Sequence, residues 1–288
     1  ETPDAPETAD DDLPVWNAPT ELASLARQLQ IHQVVIATDR HLERNVAESL
    51  VACQTTGTNV LSISDLYERL FRKVPIEYVE PAWVLDAVKS ASNRRQLISK
   101  RLLDLTLVLL ALPLFLLLCA VIMPAIKLTS PGSVFYRQQR CGRGGKSFWI
   151  LKFRTMYTDA ERGGAPRWAS ANDPRITRVG YILRKTHLDE LPQLFNILTG
   201  EMSLVGPRPE RPEFVKELEK EIPYYRARLL VKPGLTGWAQ INYPYGNTVE
   251  DALIKLQYDI HYIRHWSFSF DIYILFNTVN TVIRATGT

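Results

Sequence analysis

One apolar run constrains this chain more than any other feature. Residues 102–128 read LLDLTLVLLALPLFLLLCAVIMPAIKL, and Asp104 is the only charge before Lys127. As a straight helix rising ~1.5 Å per residue, such a run would cross a ~30 Å hydrocarbon core. Two features oppose simple crossing. Pro113 stands near the middle, where a proline removes a helix hydrogen bond and bends the chain. Both flanks are basic, with Arg94, Arg95, Lys100 and Arg101 before the run and Lys127, Arg137, Arg140, Arg143 and Lys146 after it. Positive flanks stay on the cytoplasmic side, so both ends are expected there. A re-entrant membrane helix hairpin over 94–130, broken at Pro113, meets both conditions. A spanning helix and a buried soluble core helix are the alternatives.

The 288 residues allow one large domain or two modest ones. A hydrophobic fraction of 46% with 23% charged residues excludes a disordered chain. Residues 1–20 are acidic and carry Pro3, Pro6, Pro14 and Pro19, the composition of a flexible tail. Over 21–93 the patterning alternates: a short helix at 22–30, a strand at 34–37, a helix at 41–53, a strand at 59–63 and a helix at 65–72. That order predicts part of a doubly wound sheet, a partial Rossmann-like α/β module. It lacks a GxGxxG turn, so a structural or oligomerising role is expected there, with a homodimer among the candidates. The chain begins at Glu1 without a signal-peptide pattern in its first 30 residues, and is expected to be a fragment or a processed product. Cys53, Cys119 and Cys141 are scattered without a CxxC, which suits a reducing compartment.

Charge is unevenly placed. Residues 1–26 hold seven acidic side chains and no basic one, whereas 127–186 hold 13 Lys and Arg against three acids. So basic a segment expects an anionic partner such as phosphate or anionic lipid headgroups. Within 131–288, strands are expected at 134–136 and 148–151, followed by several helices, the last over Ile272–Ile283. In the run Thr186–Gly200, Leu191, Leu194, Phe195 and Leu198 recur on one helix face. Asp189 then falls at the N-cap, Pro192 in the first turn and Gly200 at the C-terminal stop. Asp189 and Glu190 are therefore expected at a helix N-terminus, which favours ionised carboxylate and attracts phosphate. An ionised Asp can attack phosphorus while its neighbour holds a divalent cation. Lys152 and Arg154 follow a strand, Arg184 lies five residues before Asp189, and Arg208 sits between Pro207 and Pro209. Guanidinium groups bind phosphate oxygens in pairs, so these cations with the acid pair read as a phosphoryl-transfer site.

Four ordered runs carry a resemblance: Lys152-Phe-Arg-Thr-Met156, Leu188-Asp-Glu-Leu-Pro-Gln193, Met202-Ser-Leu-Val-Gly-Pro-Arg-Pro209 and Lys232-Pro-Gly-Leu-Thr-Gly-Trp-Ala-Gln240. With the proline-broken apolar helix before them, they resemble the bacterial sugar transferase family, the monotopic polyprenyl-phosphate phosphoglycosyl transferases. Residues 243–259 resemble its exopolysaccharide-associated branch, whose members often carry a membrane bundle ahead of a partial Rossmann-like domain. The resemblance implies an α/β (α+β) catalytic domain over 131–288 at the cytoplasmic face of the bacterial inner membrane. It implies transfer of a sugar-1-phosphate from a UDP-sugar to polyprenyl (undecaprenyl) phosphate. Asp189 would be the nucleophile, forming an aspartyl phosphosugar and releasing UMP, and Glu190 a Mg²⁺ ligand beside it. Lys152, Arg154, Arg184 and Arg208 would bind phosphate. His187 departs from the family, where Ser is common.

Other residues are weighed more lightly. Trp238, Gln240 and Asn242 follow a Gly-rich turn and are candidates for the nucleotide, though each equally suits packing or turn support. Asp259 and Asp271 read as buried hydrogen-bonding acids. The five histidines lack metal spacing. Nucleic-acid binding is not expected, because the basic segment adjoins a membrane stretch and carries no recognised module. A non-catalytic membrane scaffold for polysaccharide assembly is the alternative to the enzyme.

Overall fold

The computed structural model describes residues 7–8, 14–15, 21–37, 42–78, 89, 93–158, 173–243, 246 and 248–283. The chain divides into two compact units, Glu1–Tyr78 and Val79–Thr288.

In the first unit, β1 (Glu7–Thr8) pairs antiparallel with β2 (Pro14–Val15). Helix α1 (Leu22–Gln28) is followed by β3 (Gln33–Ile36), α2 (Arg44–Thr55), β4 (Asn59–Ser62) and α3 (Ile63–Phe71). β3 and β4 run parallel, from Gln33 opposite Asn59 to Ile36 opposite Ser62. Parallel neighbours need a crossover, which α2 supplies. The expected alternation of strands and helices is therefore present, as a two-stranded parallel pair among the described residues. Helix α3 begins two residues before its expected start because Ser62 caps it, its Oγ accepting from Asp65 N at 3.0 Å.

The second unit opens with α4 (Arg94–Thr129), 36 residues capped by Asn93. Pro113 and Pro124 lie inside it and do not end it. A proline deletes one donor, and the leucines around it favour helix strongly enough to propagate past. Val108, Phe115, Ile122 and Ile126 form a buried stripe in the core, while Leu109, Leu110, Leu114, Leu116, Leu117 and Val121 stand exposed. A soluble core helix would not leave so many leucines uncovered, whereas α4 is long and apolar enough to cross a membrane.

Strands β5 (Phe135–Cys141) and β6 (Ser147–Phe153) form an antiparallel hairpin, longer at both strands than the apolar residues alone predict. Arg137 to Arg140 extend β5 because one face of the hairpin is open to solvent and accepts polar residues. Then come α5 (Arg178–Lys185), a 3₁₀ turn (Leu188–Glu190), α6 (Gln193–Thr199), β7 (Ser203–Val205), α7 (Pro212–Glu221), a 3₁₀ segment (Tyr225–Leu230) and β8 (Gly234–Thr236). Helices α8 (Trp238–Asn242), α9 (Val249–Arg264) and α10 (Phe268–Ile283) close the unit. β7 and β8 pair in parallel.

Both ends of α4 are tied to this unit. At its start, Arg101 donates to the carbonyls of Ile197 and Leu198 at the end of α6, and Asp104 accepts from Ser203 Oγ and Leu204 N at 3.0 Å each. Beyond its end, Arg154 donates to the carbonyls of Ser130 and Pro131, each at 2.7 Å.

Candidate active site

The acid pair sits in a turn, and this corrects the expected N-cap. His187 takes the left-handed region (φ 56°), the chain makes the 3₁₀ turn Leu188–Glu190, and α6 starts only at Gln193 with Pro192 as its cap. The reversal at His187 sends the chain out of α5 and lets a 3₁₀ turn form before Pro192. Gly200 ends α6 at φ 88°, as expected. The expected apolar face packs as read at Leu191, Leu194 and Leu198 and is wider than read, since Gln193, Asn196 and Ile197 are also buried; Phe195 is half-exposed and meets the Phe115 ring edge-on at 5.6 Å.

Asp189 and Glu190 are both buried, yet their surroundings differ. Glu190 Oε1 accepts from Lys152 Nζ and from Arg208 Nη2, each at 2.7 Å, and Oε2 meets Arg208 Nη1 at 3.4 Å. Burial alone would raise the Glu190 carboxyl, but Arg208 and Lys152 outweigh it and hold the group well below the usual range. Among the described residues, no donor reaches hydrogen-bond distance of the Asp189 carboxylate. Burial pushes that carboxyl up; the field of Lys152 opposes, Glu190 adds to the rise, and Arg184 and Arg208 pull it down. Two adjacent carboxyls driven in opposite directions mark different roles, one fixed by cations and one held without partners.

The cations come from three separate elements. Lys152 projects from the end of β6, which Asn196 of α6 straps down: its Oδ1 accepts from Leu151 N at 3.0 Å and its Nδ2 donates to Trp149 O at 2.8 Å. Arg184, in the last turn of α5, donates from Nε to Thr155 Oγ1 at 2.9 Å. Gly180 makes that approach possible, because a Cβ there would lie 2.0 Å from the Thr155 carbonyl. Arg208 arrives on the Pro207–Pro209 segment after β7.

Lys152, Arg184 and Arg208 thus converge on the acid pair, while Arg154 turns away. Its backbone N–H still pairs with Val134, but its guanidinium holds the carbonyls following α4. Trp238 is buried against Phe270, with ring centroids 5.0 Å apart. Gln240 donates to Leu235 O at 3.2 Å, and Asn242 to Trp238 O at 2.7 Å. Asn196 and Thr155 escaped the sequence reading. Asn196 left one signal, an amide in an otherwise apolar helical run, which demands a partner when buried.

The acid pair also has the donors for a divalent cation. Glu190 Oε2 receives only a long bond, and the Asp189 oxygens receive none among the described residues. Hard carboxylate oxygens are the donor type Mg²⁺ takes, so Asp189 and Glu190 could hold such an ion.

The sequence model of the bacterial sugar transferase family matches residues 95–285. A UDP-N-acetylgalactosamine-undecaprenyl-phosphate N-acetylgalactosaminephosphotransferase from Aeromonas hydrophila is 38% identical over 83% of this chain and 55% of its own length. A UDP-glucose:undecaprenyl-phosphate glucose-1-phosphate transferase from Xanthomonas campestris pv. campestris is 37% identical over 96% of this chain and 57% of its own. A UDP-glucose:undecaprenyl-phosphate glucose-1-phosphate transferase from Escherichia coli is 39% identical over 90% and 56%. The chain belongs to the bacterial sugar transferase family. It spans a little over half the length of these curated relatives.

Proposed function

We propose that this chain is a phosphoglycosyl transferase that moves a sugar-1-phosphate from a UDP-sugar to polyprenyl phosphate. The observation that carries the reading is the buried, unbonded Asp189 carboxylate beside a Glu190 locked by Lys152 and Arg208. An Asp189 oxygen attacks the sugar-bearing phosphorus, the bond from that phosphorus to the UMP oxygen breaks, and UMP leaves with the electron pair. A phosphate oxygen of polyprenyl phosphate then attacks the same phosphorus, displaces the Asp189 carboxylate and yields polyprenyl diphosphosugar. Lys152, Arg184 and Arg208 bear on the phosphate charge, which is where preorganised cations contribute most to phosphoryl transfer. Arg154 acts instead as the clasp at the end of α4. Asp189 and Glu190 would hold Mg²⁺, which when bound would add positive charge at the diphosphate. The named sugars of the relatives differ at nearly equal identity, so the proposal stays at the class of UDP-sugars.

The setting is the cytoplasmic face of the bacterial inner membrane, with α4 entering and leaving on the same side. Its two ends support that reading. Arg101 bonds the end of α6, Asn196 of α6 bonds β6, and Arg154 just after β6 bonds the residues following α4. A helix crossing the bilayer would separate those ends by ~30 Å of hydrocarbon, out of reach of one domain on one face. The test is UMP release from UDP-sugar in the presence of polyprenyl phosphate and Mg²⁺. Release is expected, and its absence across a panel of UDP-sugars would overturn the proposal.

A further inference from the structure

Arg208 owes its place to a segment that cannot hold itself. Pro207 and Pro209 have no N–H, so Pro207-Arg208-Pro209 cannot join a strand ladder, and its carbonyls still need donors. Four successive carbonyls find them. Pro207 O accepts from Gly234 N at 2.9 Å, Arg208 O from Arg228 Nη2 at 2.9 Å, Pro209 O from Arg140 Nη1 at 3.0 Å and Glu210 O from Cys141 N at 2.8 Å.

The donor at Arg208 is unlike the rest. Arg228 is a buried guanidinium that also donates to Tyr225 Oη at 2.6 Å and lies 2.9 Å from Asp259 Oδ2. Its side chain is 6% exposed and that of Asp259 2%. Removing two charges from water costs several kcal/mol per ion, and apolar residues of similar volume often serve stability as well or better. The pair is therefore poorly explained by stability alone. What it does that an apolar pair could not is fix a carbonyl, and that carbonyl belongs to the residue whose guanidinium grips Glu190.

Resting on the transferase reading, we propose that Asp259 and Arg228 are positioning residues. Asp259 orients the Arg228 guanidinium, Arg228 pins the Arg208 backbone, and the Arg208 side chain is thereby aimed at Glu190 and the diphosphate. Neither touches the reacting atoms. Displacements of about 1 Å at a reacting centre can cost on the order of 10²-fold, so a lost aim is visible in turnover.

The test is a double-mutant cycle on UMP release by the full chain in detergent micelles with polyprenyl phosphate, normalised to folded protein. Asp259→Asn is expected to lower kcat roughly 10- to 100-fold alone. In an Arg208→Ala background it is expected to add almost nothing, because the residue it aims is gone. In a Lys152→Ala background it is expected to keep its full effect, whereas a general loosening of the fold would lower turnover equally in both backgrounds. Should Asp259→Asn fail to fold, the neutral pair Arg228→Gln with Asp259→Asn removes both buried charges together and enters the same cycle. Equal losses in the wild-type and Arg208→Ala backgrounds, or undiminished turnover by the substituted protein, would overturn the positioning role while leaving the transferase reading intact. Absence of UMP release from the unsubstituted chain would overturn both.

Discussion

Two buried carboxylate clusters in the second unit invite comparison. At the start of α4, Asp271 accepts from Lys100 Nζ at 2.5 Å, Tyr262 Oη at 2.7 Å and Trp266 Nε1 at 3.0 Å. At the turn before α6, Glu190 is gripped by Lys152 and Arg208, but its neighbour Asp189 accepts no hydrogen bond among the described residues. Both clusters bury acids among cations. The first is satisfied and ties α4 to α9 and α10. The second leaves the Asp189 carboxylate without a hydrogen bond among the described residues, at a cost in stability. The contrast teaches that burial and nearby cations do not by themselves separate the two clusters; what separates them is whether each carboxylate accepts hydrogen bonds.

The largest expected effect breaks this contrast at its reactive end. Asp189→Asn should lower UMP release by roughly 10⁴-fold or more, since it removes the proposed nucleophile. Its thermal midpoint should hold or rise. Folding raises the Asp189 pKa, so at neutral pH the ionised carboxylate opposes folding, and a neutral amide removes that opposition. Asp271→Asn should do the reverse. It leaves Lys100 buried without its counterion and should cost about 3–5 kcal/mol of stability, read as a fall in thermal midpoint, with turnover per folded molecule near wild type.

Arg208→Ala should lower turnover by roughly 10²- to 10³-fold, the scale of one lost donor to developing charge, measured as kcat for UMP release. The smallest effect lies in the pH profile of adduct formation. As the proposed nucleophile, Asp189 must be ionised to attack, and burial raises its pKa, so at limiting Mg²⁺ the acid limb should lie above the usual aspartate range. Glu190→Gln should move that limb to lower pH, because a like charge disappears and Lys152 and Arg208 are released toward Asp189.

Much of this arrangement was legible in the sequence. Alternation of strand and helix signals placed α1, β3, α2, β4 and α3 within a few residues but missed the β1–β2 pair, which falls in the stretch read as a tail, and the apolar run announced α4. The acid pair and the proline-flanked Arg208 could be picked out because their residue types are costly to place without a reason. What failed was orientation. Lys152 and Arg154 are two apart and would share a face on a continuing strand, but β6 ends at Phe153 and Arg154 turns to the residues following α4. Asp189 looked like an N-cap because the apolar period pointed to a helix, whereas the left-handed residue at His187 has no signature in that period. Of the residues after the glycine-rich turn, Gln240 bonds back to Leu235, Asn242 bonds the Trp238 carbonyl within α8, and Trp238 packs on Phe270. Partners distant in sequence, such as Asn196 with Trp149 or Arg228 with Asp259, are set by packing, which no local pattern reports.

The most direct test of the central claim is intact-protein and peptide mass spectrometry after incubation with UDP-sugar and Mg²⁺ without polyprenyl phosphate. A phosphosugar adduct confined to the peptide carrying Asp189, and lost on adding polyprenyl phosphate, is the predicted result. UMP release by the Asp189→Asn variant at the wild-type rate, or an adduct on another residue, would contradict it.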